Sequence, residues 1–88
     1  MLADDLKVKI KEYTSKLEGV ESAADLPALR ARVEELKKEQ EDPDLYLDLK
    51  RAEAINREAK NAGDKLEAIT KMRTDLTDLE GLLDMAAE

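Results

Sequence analysis

Residues 49–83 read LKRAEAINREAKNAGDKLEAITKMRTDLTDLEGLL, and this stretch decides the fold of the chain. Its apolar residues recur every three or four positions without a change of phase, at Leu49, Ala52, Ile55, Ala59, Ala62, Leu66, Ile69, Met72, Leu76, Leu79 and Leu83. This spacing is typical of an amphipathic helix whose apolar side packs on other helices. The pattern predicts one long helix over about residues 48–87.

Gly63 is the one internal residue that disfavours this long helix, since glycine costs about 1 kcal/mol relative to alanine inside a helix. An alternative is a break at Asn61–Asp64, with Asp64 capping a fourth helix. The apolar residues nevertheless keep their phase across the glycine, from Ala62 to Leu66. We therefore predict a continuous helix.

A shorter helix is predicted before the long one, over about residues 3–19. Its apolar residues again alternate between spacings of four and three, at Leu6, Ile10, Tyr13, Leu17 and Val20. Gly19 is typical of a residue just after a helix, so residues 20–24 are interpreted as a connector.

The next helix is expected over about residues 26–41, because Asp25 can accept hydrogen bonds from the first unpaired amides and Pro27 suits a first turn. Pro43 ends it, since proline disfavours helical geometry at the residue before it. Leu45–Leu47 then forms a short apolar corner.

Helix lengths indicate how these elements pack. At about 1.5 Å per residue the third helix is about 60 Å long, and each of the first two is about 24–26 Å long. We predict an antiparallel hairpin or bundle of three helices, the first two end to end along the third. The residues expected to be buried are Leu29, Val33, Leu36, Ile55, Leu66 and Ile69. The acid–base pairs expected to be exposed are Asp5–Lys9, Glu12–Lys16, Glu34–Lys38, Glu53–Arg57 and Glu67–Lys71.

Composition agrees with one all-α domain over residues 1–88. Of the 88 residues, 42% are hydrophobic and 42% are charged, and there is no Phe or Trp from which to build a thick core. The net charge of −7 disfavours direct binding of a phosphate backbone. Most of this charge is terminal, because residues 74–88 hold five acids and no base.

The sequence predicts no catalytic, cofactor-binding or metal site, and no enzyme activity. The chain has no His and no Cys, which removes the usual general base and the thiolate ligands. Carboxylate pairs such as Asp42/Asp44 and Asp75/Asp78 supply too few oxygens to hold a divalent cation. The acidic N-terminus is unlike a secretory signal and no apolar run is long enough to span a membrane, so we expect a cytoplasmic protein with no membrane partner.

Several stretches resemble the N-terminal domain of bacterial peptide chain release factor 2. The resemblance extends in order over nearly the whole chain, with the first helix matching by pattern more than by identity. These stretches are Arg32–Leu36, the corner Glu41-Asp42-Pro43-Asp44-Leu45-Tyr46, Lys50–Ala52 and Asp78–Ala86. The corner is the most specific of them. At position 46 the family usually has Trp, and the smaller, more polar Tyr46 implies a corner that is less tightly anchored.

The resemblance implies a role in translation termination. In that family the N-terminal domain lies near the stalk base of the large ribosomal subunit, where the termination GTPase also works. Stop-codon reading and peptidyl-tRNA hydrolysis depend on Ser-Pro-Phe and Gly-Gly-Gln motifs in later domains, and neither tripeptide occurs in these 88 residues. The role implied for this chain is to position the factor on the ribosome.

Two other classes stay open: a free-standing coiled-coil adaptor or chaperone subunit, and the coiled-coil arm of an aminoacyl-tRNA synthetase. The synthetase arm should be basic, whereas this chain carries −7. The C-terminal segment has no glycine or proline stop, which indicates the N-terminal part of a longer chain. Without covering chain we expect self-association, antiparallel, through Leu76, Leu79, Leu82, Leu83 and Met85.

Overall fold

A computed structural model describes residues 2–87 of the chain. Three α-helices account for most of it: α1 (Leu2–Ala24), α2 (Leu26–Gln40) and α3 (Leu49–Ala87), with a short 3-10 turn at Leu45–Leu47. No strand occurs among the described residues. The prediction of an all-α fold with a long third helix is confirmed, and α3 continues through Gly63 without the alternative break.

The predicted end of the first helix is wrong. Instead of stopping at Gly19, α1 continues through residues 20–24, and no glycine in the described part of the chain has a positive φ. A tertiary contact explains the extra turn. Glu21 forms an ion pair with Arg73 of α3, and this ion pair stabilises the last turn of α1 in helical form. The chain turns one residue later, at Asp25.

Asp25 both ends α1 and starts α2. Its backbone is left-handed, with φ 50° and ψ 72°, a conformation that Asp tolerates better than most residues. Its Oδ1 accepts a hydrogen bond from the N–H of Ala28 at 3.3 Å, which satisfies one of the unpaired amides of the first turn. Asp25 alone therefore connects α1 to α2, where the sequence predicts a connector of five residues, 20–24.

Between α2 and α3 two aspartates organise the corner. Asp42 Oδ1 accepts a hydrogen bond from the N–H of Asp44 at 2.9 Å, across the proline. Asp48 Oδ1 accepts from the N–H of Arg51 at 3.1 Å and so caps α3. These local bonds satisfy backbone groups that the break between the helices would otherwise leave unpaired.

The described helices pack as two compact units, Met1–Ala24 with Ala68–Glu88, and Asp25–Glu67. In the first, Glu21 of α1 meets Arg73 of α3. In the second, Arg32 of α2 meets Glu58 of α3. Both pairings run antiparallel, as predicted. That residues 1–88 form a single domain stays a prediction.

Each unit has its own small core. Leu17, Ile69 and Leu76 are buried in the first, and Leu36, Leu45 and Ala52 in the second. Of the six residues predicted to be buried, Leu36 and Ile69 are, whereas Leu29, Val33, Ile55 and Leu66 are partly exposed. A layer of two helices shields only the middle of each apolar stripe, so its edges stay in contact with water. All the residues of the five predicted acid–base pairs are exposed.

Candidate interaction surfaces

The described residues contain no cluster of three or more acidic, His or Cys side chains suited to hold a metal ion. Within residues 2–87 no helix combines the length and the apolar character that crossing a bilayer demands. The described surface carries exposed apolar side chains and ion pairs between helices.

In the second unit, the corner divides its apolar residues into one anchor and an exposed group. Leu45 is fully buried, while Tyr46 is 62% exposed, Leu47 85% and Leu49 68%. The residue that fixes the corner is therefore Leu45, and the aromatic position 46 faces water. We call the exposed set Tyr46, Leu47 and Leu49 the corner patch. Three large apolar side chains within four residues are more than a soluble surface usually exposes in one place.

An arginine fork holds the same unit together. Arg32 Nε donates to Glu58 Oε2 at 2.6 Å and Arg32 Nη2 donates to Glu58 Oε1 at 2.9 Å, which joins α2 to α3 in a bidentate pair. Glu35 accepts a further bond from Arg32 at 3.0 Å. Hydrogen bonds to Glu35 and Glu58 raise the pKa of Arg32 above its ordinary value.

The first unit contains an open groove between α1 and α3. Its volume is about 430 Å³ and its lining is almost wholly apolar. The groove residues are Leu6, Lys9, Ile10, Tyr13, Leu76, Leu79, Leu82, Leu83 and Ala86. Four of them combine large size with exposure: Leu6 at 44%, Tyr13 at 41%, Leu79 at 51% and Leu82 at 62%. We call this feature the α1–α3 groove.

The groove differs from the apolar patch that the sequence predicts. Leu76 is fully buried and belongs to the core. Met85 is 71% exposed but does not line the groove. Sequence reasoning missed the opposite wall, Leu6 and Tyr13, because their three–four spacing was assigned to the helix core. The sequence did indicate this wall, since α1 has more large apolar residues than a single line of contacts with α3 requires.

Beside the groove, Arg73 and Glu21 form the ion pair that joins α1 to α3. Arg73 Nε donates to Glu21 Oε2 at 3.1 Å, and Arg73 Nη2 donates to Glu21 Oε1. The hydrogen bond with Glu21 raises the pKa of Arg73 above its ordinary value. Two parallel bonds restrict the geometry more than a single contact, so this pair helps to set the register of the two helices.

The described residues form an all-helical fold, and comparison with known proteins shows what the chain is similar to. The chain is similar to peptide chain release factor 2 of Saccharopolyspora erythraea, at 34% identity over 84 residues, which is 96% of this chain and 23% of that protein. The Mycobacterium avium protein of the same name is 38% identical over 84 residues, again 96% of this chain and 23% of the relative. That of Frankia casuarinae is 32% identical over 87 residues, 99% of this chain and 24% of the relative.

These matches confirm the resemblance to the N-terminal domain of peptide chain release factor 2. The chain spans about a quarter of the length of the curated relatives it matches. No family model matches the chain. No solved structure matches it either.

Proposed function

We propose that this chain is the N-terminal helical domain of a release-factor protein that works in translation termination in the cytoplasm. The observation that carries the proposal is the similarity over 96% of the chain, at 34% and 38% identity, to two proteins named peptide chain release factor 2. The relatives are about four times longer than the chain, so we infer that the chain acts as part of a longer protein.

The proposed role is to position the factor on the ribosome and not to carry out chemistry. The chain contains no His and no Cys, and neither Gly-Gly-Gln nor Ser-Pro-Phe occurs in its sequence. In this proposal, stop-codon reading and hydrolysis of peptidyl-tRNA belong to other domains. The domain itself needs only a surface that binds the ribosome.

We propose that this surface meets the large subunit near its stalk base, where the termination GTPase is a possible neighbour. The corner patch supports a protein contact, because the free energy of the complex falls when a partner covers exposed Tyr and Leu side chains. A net charge of −7 opposes a contact made mainly to ribosomal RNA. A protein of the stalk base is therefore the partner we favour.

Sedimentation with purified bacterial ribosomal subunits tests the proposal. The chain should sediment with large subunits and not with small ones, and a variant carrying Tyr46→Ala and Leu47→Ala should bind more weakly. Val8→Ala is the matched control, because Val8 is also exposed, at 56%, and lies outside the corner patch. If the chain fails to sediment with large subunits, the positioning role is wrong.

The gene itself separates this proposal from a free-standing adaptor. We expect the reading frame to continue beyond codon 88 and to encode a Gly-Gly-Gln motif. A continuation without that motif, or an immediate stop, would favour the adaptor. The chain added to ribosomes that hold peptidyl-tRNA at a stop codon should release no peptide, and release above background would contradict the absence of catalysis.

A further inference from the structure

The two units are built from the chain in different ways. The second unit is one unbroken segment, residues 25–67, whereas the first combines α1 with the part of α3 that follows residue 67. In the second unit the bidentate pair of Arg32 and Glu58 joins residues 26 positions apart. In the first unit the pair of Arg73 and Glu21 joins residues 52 positions apart. Contacts in the first unit therefore close a much longer stretch of chain.

The second unit brings its own two ends together when it folds. Its helices run antiparallel, and Arg32 lies seven residues after Asp25 while its partner Glu58 lies nine residues before Glu67. Asp25 and Glu67 therefore lie at the same end of the unit. If the second unit were unfolded, α1 could meet α3 only by closing a flexible loop over residues 25–67, and the entropy of that loop opposes the contact. The first unit should therefore depend on the second, and not the reverse.

The first unit also covers its helices sparsely. Leu17 is the one buried residue among those of α1 whose burial is described, and residues 4–9 are all exposed. Among residues 77–86 of α3, Leu83 alone is even partly covered. Few buried apolar contacts are typical of a segment that opens at low free energy. Because a helix in water draws most of its stability from packing, α1 should lose much of its helical structure once it leaves α3.

We propose that α1 is a strap that separates from α3 and opens the first unit while the second unit stays folded. The opening breaks the ion pair of Arg73 with Glu21 and exposes Leu17, Ile69 and Leu76, the buried core of the first unit. It exposes less surface than complete unfolding does, so it occurs at a lower free energy. The core side of α3 in the first unit is thus accessible only in the open state.

Native-state hydrogen exchange of the whole chain, followed by NMR at low concentrations of guanidinium chloride, tests the proposal. Protected amides within residues 6–24 and 68–86 should share one opening free energy with a shallow dependence on denaturant. Those within residues 29–58 should be better protected, with a steeper dependence, because complete unfolding exposes more surface. A single free energy and slope for both units would contradict the proposal. So would protection that fades gradually towards Leu2 and Ala87, which would indicate fraying ends and no common opening.

Core substitutions in each unit test the order of opening. Leu36→Ala should lower the hydrogen-exchange protection of the second unit by at least about tenfold and leave that of the first unit unchanged. The reason is that the second unit is folded both when the strap is closed and when it is open. Leu17→Ala should lower the protection of both units by the same factor, because it destabilises the closed state against every other state. If Leu36→Ala lowers the protection of the first unit by the same factor as that of the second, the strap proposal is wrong.

Leu47→Ala is the matched control, since Leu47 is the same residue type but is 85% exposed, and it should change the protection of neither unit. Circular dichroism verifies that each variant is helical. Should an alanine variant fail to fold, methionine at the same position takes its place, because that substitution destabilises a core less. The proposal does not depend on the ribosomal role, because hydrogen exchange is measured on the chain without ribosomes.

Discussion

Arg73 of α3 binds Glu21 of α1 through two hydrogen bonds that join residues 52 positions apart. The pair holds the last turn of α1 in helical form beyond Gly19, where the sequence alone predicts a stop. The same contact helps to fix the register of α1 on α3.

Removing either partner of this ion pair should lower the melting temperature. Arg73→Ala and Glu21→Ala each remove one side of an ion pair at a partly buried site, and the last turn of α1 should lose helicity. The exchange of Glu21→Arg with Arg73→Glu should recover part of the loss. Arg30→Ala, at an exposed arginine of α2, is the control and should change the melting temperature little. Equal effects of Arg73→Ala and Arg30→Ala would contradict the structural role of the pair.

The raised pKa of Arg73 gives the pH dependence of this contribution a sign. A cation whose folded pKa lies above its unfolded value contributes stability below the unfolded pKa and loses it as the pH rises through the folded one. The unfolded pKa of an arginine already lies far above neutral pH, so Arg73 should contribute fully at neutral pH. The melting-temperature difference between the unmodified chain and Arg73→Ala should therefore not fall between pH 7 and pH 9.

The corner offers two neighbouring residues whose substitution should affect stability by very different amounts. Leu45→Ala should lower the free energy of unfolding by about 2–5 kcal/mol, because it leaves a cavity at a fully buried position. Tyr46→Ala should change it by less than about 0.5 kcal/mol, since that ring is mostly exposed. Urea unfolding of both variants measures the difference. If Tyr46→Ala is the more damaging substitution, the aromatic ring anchors the corner and Leu45 does not.

Two internal glycines should be replaceable with a gain in stability. A Cβ added at Gly19 or Gly63 meets no atom within 4 Å, and neither glycine has a positive φ. Gly19→Ala and Gly63→Ala should each raise the free energy of unfolding by about 0.5–1 kcal/mol, because alanine loses less backbone entropy in a helix. Ala54→Gly, at an exposed position of α3, should lower it by a similar amount. A loss of stability on Gly63→Ala would contradict an uninterrupted α3.

Asp25 combines a left-handed backbone with a capping hydrogen bond. The stability of each variant should depend on whether the new residue preserves these two properties. Asn tolerates the same backbone and offers the same kind of oxygen, so Asp25→Asn should be close to neutral. Asp25→Ala loses the bond to Ala28 and adds strain, which should cost about 1–2 kcal/mol of unfolding free energy. Thermal unfolding followed by circular dichroism compares them. Equal stability of the two variants would show that the cap is unimportant.

The periodicity of apolar residues determined the helical class and the continuity of α3 through Gly63. The proline at position 43 determined where the corner lies. These features are local: the phase of apolar residues and the missing proline N–H act within a few residues, whatever the rest of the chain does. The motifs around that corner also carried the resemblance to release factor 2, which depends on residue identity alone.

Tertiary structure decided where α1 ends, which leucines are buried and where the open apolar surface lies. Gly19 disfavours helix by about 1 kcal/mol, an amount that a contact from Arg73, far away in sequence, can offset. Leu76 and Leu79 belong to one sequence pattern, yet Leu76 is fully buried and Leu79 is half exposed. A three–four repeat specifies that a helix has an apolar side. How much of that side a neighbouring helix covers depends on how the helices pack.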